Sequence, residues 1–206
     1  LDRQLQATEL HLDALDKRLA ALAAEIDEKR DRGETVPLVK NFAAAQRAIQ
    51  QRMVRAQPLY VGLEPAPGAT ARELAALEQL IGDAVLATWV TDEANAVDVR
   101  SLLFRDFPEQ SLAVVGDGTE PIPAEWMRHY FDLKKSDPGS ILVLQHQLAA
   151  KHGPHVGKFL DLPILNFRLR EQTLTDAPPR LIGAEMRRRE LERELRELDK
   201  KRLATE

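Results

Sequence analysis

The sequence predicts an α+β fold in which a small mixed-sheet domain is inserted at the tip of an antiparallel coiled coil. Three observations carry that expectation. Apolar residues recur at heptad spacing near both ends of the chain. The aromatics are confined between those ends: residues 1–58 hold Phe42 alone, and the other nine lie between Tyr60 and Phe167. The middle alternates short apolar runs with Gly, Pro and Asp punctuation, as small packed elements do.

Residues 1–31 place Leu5, Leu12, Leu15, Leu19, Leu22 and Ile26 at steps of seven, three and four, with Thr8 in the missing seam position. Gly33 and Pro37 interrupt this helix. Leu38, Phe42, Ala45, Ile49, Met53 and Ala56 make a second seam up to Pro58, and Leu191, Leu195 and Leu198 a third within AEMRRRELERELRELDKKRL (184–203). The competing reading of any one stripe is an amphipathic helix on a globular core. At about 1.5 Å per residue, residues 38–57 span about 30 Å and residues 183–206 about 36 Å, so these two are expected to pair. Residues 1–31 then either pair with a segment beyond Glu206 or fold back at Gly33–Pro37. Expected domains are therefore an N-terminal arm (1–58, interrupted at 33–37), a middle domain (59–182) and a C-terminal arm (183–206).

Within the middle, Thr70 with Glu73 three residues on is a capping box, opening a helix that should stop at Gly82. AVLATWV (84–90) is a buried strand or a short helix by periodicity. VDVRSLLF (97–104) and AEWMRHYFDL (124–133) read as helices, and SLAVV (111–115) as a strand. ILVL (141–144) reads as a central strand entered through the turn Asp137-Pro138-Gly139. LNFRLR (165–170) alternates as a strand with one wet face.

Composition excludes several classes. The 206 residues include no cysteine, which removes disulfides, thiolate metal sites and a cysteine nucleophile. No apolar run approaches the ~20 residues of a membrane span, and no signal peptide opens the chain. Leu1, lying inside a helical pattern, reads as part of a longer protein. His152 and His155 flank Gly153-Pro154 without metal-ligand spacing. Gly157-Lys158 lacks both the earlier glycine and the following Ser or Thr of a phosphate loop. Asp92-Glu93 reads as a solvated turn sooner than a metal site or an acid/base pair, and Ser101 and Ser111 lack a nucleophile elbow. No catalytic residue, cofactor or metal is expected.

Charge divides by segment. Residues 59–182 carry 11 Lys/Arg against 17 Asp/Glu, while each flank is net +1. From Thr35 to Leu63 there is no acid. Lys40, Arg47, Arg52 and Arg55 on that side, with Arg180, Arg187, Arg188 and Arg189 on the other, are either a solvated helix face or DNA-contact candidates.

The run LAALEQLIGDAVLATWVTDEANAVDVRSLLFRDFPEQSLAVV (74–115) resembles the start of the hinge domain in MukB-type SMC proteins: a helix, a glycine pair, an apolar segment running into acids, a short helix, and a strand ending in two valines. Gly82-Asp83 stands where the family has two glycines. The Pro/Gly-rich entry EPAPGATARELAAL (64–77) and the exit through Leu181, Ile182 and Gly183 into a charged coil are similar too, whereas residues 118–163 depart from the pattern. The resemblance implies a half-hinge that homodimerises and has some role in DNA contact. It also implies a cytoplasmic, nucleoid-associated parent whose ATPase parts lie at its termini and which serves chromosome segregation or plasmid defence. The apolar segments 84–90 and 141–144 nominate Val85, Leu86, Trp89, Ile141 and Leu142 for the dimer surface. The rival readings are a coiled-coil-stalked adaptor or scaffold with an unrelated interaction head, and an enzyme with helical extensions. The expected partners are thus a second copy and, weakly and without sequence preference, DNA; no membrane is expected.

Overall fold

A computed structural model describes residues 2–116, 123, 125–152 and 178–205. In chain order the helices are α1 (Asp2–Arg32), α2 (Phe42–Gln51), α3 (Ala71–Ile81), α4 (Asp83–Leu86), α5 (Glu93–Asp106), α6 (Met127–Tyr130), α7 (Pro138–His152) and α8 (Ala184–Leu203). The strands are β1 (Gln57–Pro58), β2 (Trp89–Asp92) and β3 (Leu112–Val115), and a 3-10 turn covers Leu59–Gly62. Among the described residues the fold is mixed α/β, mostly helical, with one small mixed sheet.

The chain divides into two compact units. The first joins Leu1–Thr35 with Arg188–Glu206. Here α1 runs antiparallel to α8: Thr35 Oγ1 donates to Glu194 at 2.9 Å, Lys29 Nζ meets the other oxygen of Glu194 at 2.6 Å, and Arg30 faces Asp199. Ile26, Leu191 and Leu198 are buried, whereas Leu10 and Leu12 are exposed. The expected pairing of residues 38–57 with 183–206 is thus corrected: Glu194 and Asp199 of α8 meet Lys29 and Arg30 of α1, and α2 falls in the second unit.

The second unit, Val36–Arg187, takes in α2. Its boundaries therefore fall at 35/36 and 187/188, not at 58/59 and 182/183. The reason lies in the α2 stripe. Phe42 stacks on Trp89 with ring centroids 5.3 Å apart, tilts against Tyr60, and shares a buried core with Ala45 and Ile49. The helix then stops, because Met53 takes a left-handed φ of 54°. Leu38 and Met53, two members of the expected seam, lie beyond its ends and are exposed. The stripe is the buried face of an amphipathic helix.

The sheet has the order β1-β2-β3. β1 meets β2 antiparallel, with Gln57 opposite Val90, and β2 meets β3 parallel from Trp89–Leu112 to Asp92–Val115. A parallel neighbour needs a long crossover, and α5 supplies it between β2 and β3. Asp92 ends β2 and caps α5 with a bond from the Asn95 amide at 2.9 Å.

Several expected elements are present. The Thr70–Glu73 box is formed from both sides, and α3 ends at Gly82, whose φ is 84°. The segment 84–90, left open between helix and strand, is divided between them: α4 ends at Leu86 and β2 begins at Trp89. The strand in SLAVV and the helix in VDVRSLLF are both there. Helix α6 is a single turn, because Phe131 turns extended and bridges Pro65 while the Tyr130 carbonyl accepts the Ala66 amide.

ILVL (141–144) is helix and not strand. Asp137 accepts from both the amide and the hydroxyl of Ser140, at 2.7 and 2.8 Å, so Asp137-Pro138 is an N-cap followed by a first-turn proline. Ile141, Leu144 and Leu148 are buried at helical spacing. This helix packs on the 3-10 turn so closely that a Cβ at Gly62 would fall 2.2 Å from Ser140 Oγ. The expected strand at 165–170 and the histidine loop at 152–155 lie outside the described residues, apart from His152 at the end of α7.

Candidate self-association surface and basic face

Three of the five residues nominated for the dimer surface are core residues. Leu86 is 0%, Trp89 1% and Ile141 2% exposed. Trp89 lies on the middle strand under Phe42, and Ile141 is on the inner face of α7, so the second unit covers them by itself. Val85 and Leu142 are half-buried. Leu86, Trp89 and Ile141 are withdrawn from the surface by this packing.

Arg187 is withdrawn from the DNA-contact set in the same way. It is 4% exposed, donates Nη1 to the Leu181 carbonyl at 3.1 Å, and stands over the Tyr60 ring with its guanidinium carbon 5.3 Å from the centroid. Arg180 is half-buried and faces Asp83 at 3.7 Å. Lys40, Arg47, Arg52, Arg55, Arg188 and Arg189 are exposed.

Three of these exposed basic residues, Lys40, Arg52 and Arg55, stand beside acids. Asp92 lies below the ordinary carboxylate range through bonds from Asn95 and, further down in weight, through Arg55. Asp106 is lowered first by Arg105, with Arg52 adding to it. Glu109 is lowered by its own backbone amide and by Asn41, with a contribution from Lys40. A DNA phosphate would therefore compete with Asp92, Asp106 and Glu109 for Arg55, Arg52 and Lys40.

Glu78 is a buried acid that sequence reasoning passed over. It sits on the inward face of α3 and accepts three successive amides: Arg180 at 2.7 Å, Leu181 at 2.8 Å and Ile182 at 2.6 Å. Burial pushes its carboxyl above the ordinary range, and those amides pull against it. The clamp fixes the segment that leads into α8. Its signal in the sequence is an acid among Leu74, Ala75, Leu77 and Ile81 at an inward position; its partners lie about a hundred residues away.

Also unforeseen is the outer face of α5. Val99, Leu102 and Leu103 are its buried side. Val97 and Phe104, seven residues apart, are 73% and 82% exposed on the opposite side. Ala94 and Ser101, also exposed, lie on the same stripe.

Tyr130 supplies a pH-dependent test of the packing on this unit. Burial, aided by the nearby charge of Glu73, pushes its phenol from the usual 10 up to about 12. A phenol raised in the fold contributes stability that is complete below pH 10 and lost as pH rises through about 12. Urea midpoints measured across that window should fall, with phenolate absorbance appearing together with unfolding. Ionisation well before unfolding would contradict the burial.

Among the described residues, no group of metal-ligating side chains is assembled and no helix is long and apolar enough to cross a membrane. No protein-family model matches the chain, and no curated protein or solved structure matches it.

Proposed function

We propose that this chain is the dimerisation hinge of a MukB-type SMC protein, a DNA-organising ATPase whose nucleotide chemistry resides elsewhere in the parent. The observation that supports the reading best is the order of the units along the chain. Both flanks, 1–35 and 188–206, belong to one antiparallel helical unit, and everything between them belongs to the other. A coiled-coil arm that turns back through a hinge has this connectivity, and the residues of 74–115 resemble that family. In this role the α+β unit joins two arms by self-association and carries out no reaction. DNA contact is the weaker part of the reading, resting on the exposed Lys40, Arg47, Arg52, Arg55, Arg188 and Arg189.

Light scattering on the full chain at tens of micromolar tests the proposal. Twice the chain mass is expected. A single-chain mass would contradict it and favour the adaptor reading, in which the α+β unit recognises something other than itself.

A further inference from the structure

We propose that the docking surface for a second copy is the outer face of α5, packed antiparallel against its own counterpart about a two-fold axis at Val99. The inference rests on the self-association reading and names its surface. At 100° per residue Val97 and Phe104 point within about 20° of each other, away from the buried side. Ala94, Val97, Ser101 and Phe104 recur at steps of three, four and three, the spacing of a helix–helix seam, and all four are exposed.

Their order favours self-pairing. In a two-fold contact, residue i meets j and j meets i. With the axis at Val99, Phe104 of one copy meets the partner's Ala94, and Val97 meets the partner's Ser101. Each large side chain thus lies over a small one, so the two helices can approach without a void or a clash. The flanks are mixed in sign, with Glu93 and Arg100 on one side of the seam and Asp98 and Arg105 on the other. One α5 pair is smaller than the ~1,600 Å² of a standard interface.

Sedimentation equilibrium on full-length chains decides it. Phe104→Glu should weaken self-association on the order of 100-fold, as loss of an aromatic anchor does. Because Phe104 is exposed, the thermal midpoint in dilute solution should not move. Phe104→Ala should also weaken the dimer, and the exchanged chain Ala94→Phe/Phe104→Ala should recover it, since the exchange keeps every large-on-small contact. A parent dimer untouched by Phe104→Glu would overturn this surface while leaving self-association intact. A sensitive Phe104 without recovery in the exchanged chain would overturn the antiparallel register. A monomeric parent would remove both this surface and the reading beneath it.

Discussion

Replacing Glu78 with alanine is expected to destabilise the α+β unit by roughly 2–6 kcal/mol, since each buried amide left without an acceptor costs about 1–3 kcal/mol. The Leu181 and Ile182 amides are buried, so water does not readily replace the carboxylate there, whereas Arg180 is partly exposed and can be rehydrated. Glutamine is not a conservative exchange at this position. One of its two terminal atoms is an NH2, which would face amide donors where an acceptor is needed. Urea unfolding followed by tryptophan fluorescence reports on the unit directly, because Trp89 and Trp126 both lie within it. A loss below about 1 kcal/mol would mean that the three bonds are replaced by water and that Glu78 does not hold the path into α8.

Trp89→Ala is expected to cost about 3–5 kcal/mol, the usual penalty for emptying an aromatic site in a packed core. The residue lies at the centre of the sheet, and its indole edge reaches Gln110 at 3.4 Å. Its face is the seat of Phe42, so the cavity would also loosen α2. This tests the boundary at Val36. If α2 belongs to the α+β unit, its amides should lose hydrogen-exchange protection in the variant together with those of β2. Protection of α2 that is indifferent to Trp89 would return residues 36–58 to the arm, as heptad spacing alone had suggested.

Local chemistry made part of this fold legible. Thr70 and Glu73 lie three residues apart and each accepts the other's backbone amide, so α3 could be read from eleven or twelve letters. The same holds for Gly82, where a positive φ ends the helix. ILVL failed because four apolar residues fit a buried strand and a buried helix equally well. The deciding signal was Asp137-Pro138 followed by Ser140, an N-cap motif taken for a turn. The stripe from Leu38 to Ala56 failed for another reason: seam spacing says that a face is buried, and is silent on whether a helix or a sheet covers it. Phe42 was covered by Trp89, and the partner of α8 proved to be α1.

The candidate site was less legible than the fold. Leu86, Trp89 and Ile141 were chosen for being apolar, which is also what a core requires. Arg187 was chosen for its charge, yet carbonyls and an aromatic ring solvate it in the interior. Phe104 was within reach of the sequence. The buried side of α5 is defined by Val99, Leu102 and Leu103, and Phe104 falls away from it, an exposed aromatic on an otherwise completed helix.

The central claim is that the α+β unit joins two copies of the chain. Sedimentation equilibrium on Leu191→Asp tests it most directly. Leu191 is buried in the helical unit, so an aspartate there should part α1 from α8 and lower the helical signal. The account predicts that this variant still sediments at twice the chain mass, with the same dissociation constant as the parent. A fall to the single-chain mass, with the α+β unit still folded by fluorescence, would place the association in the helices and contradict the claim.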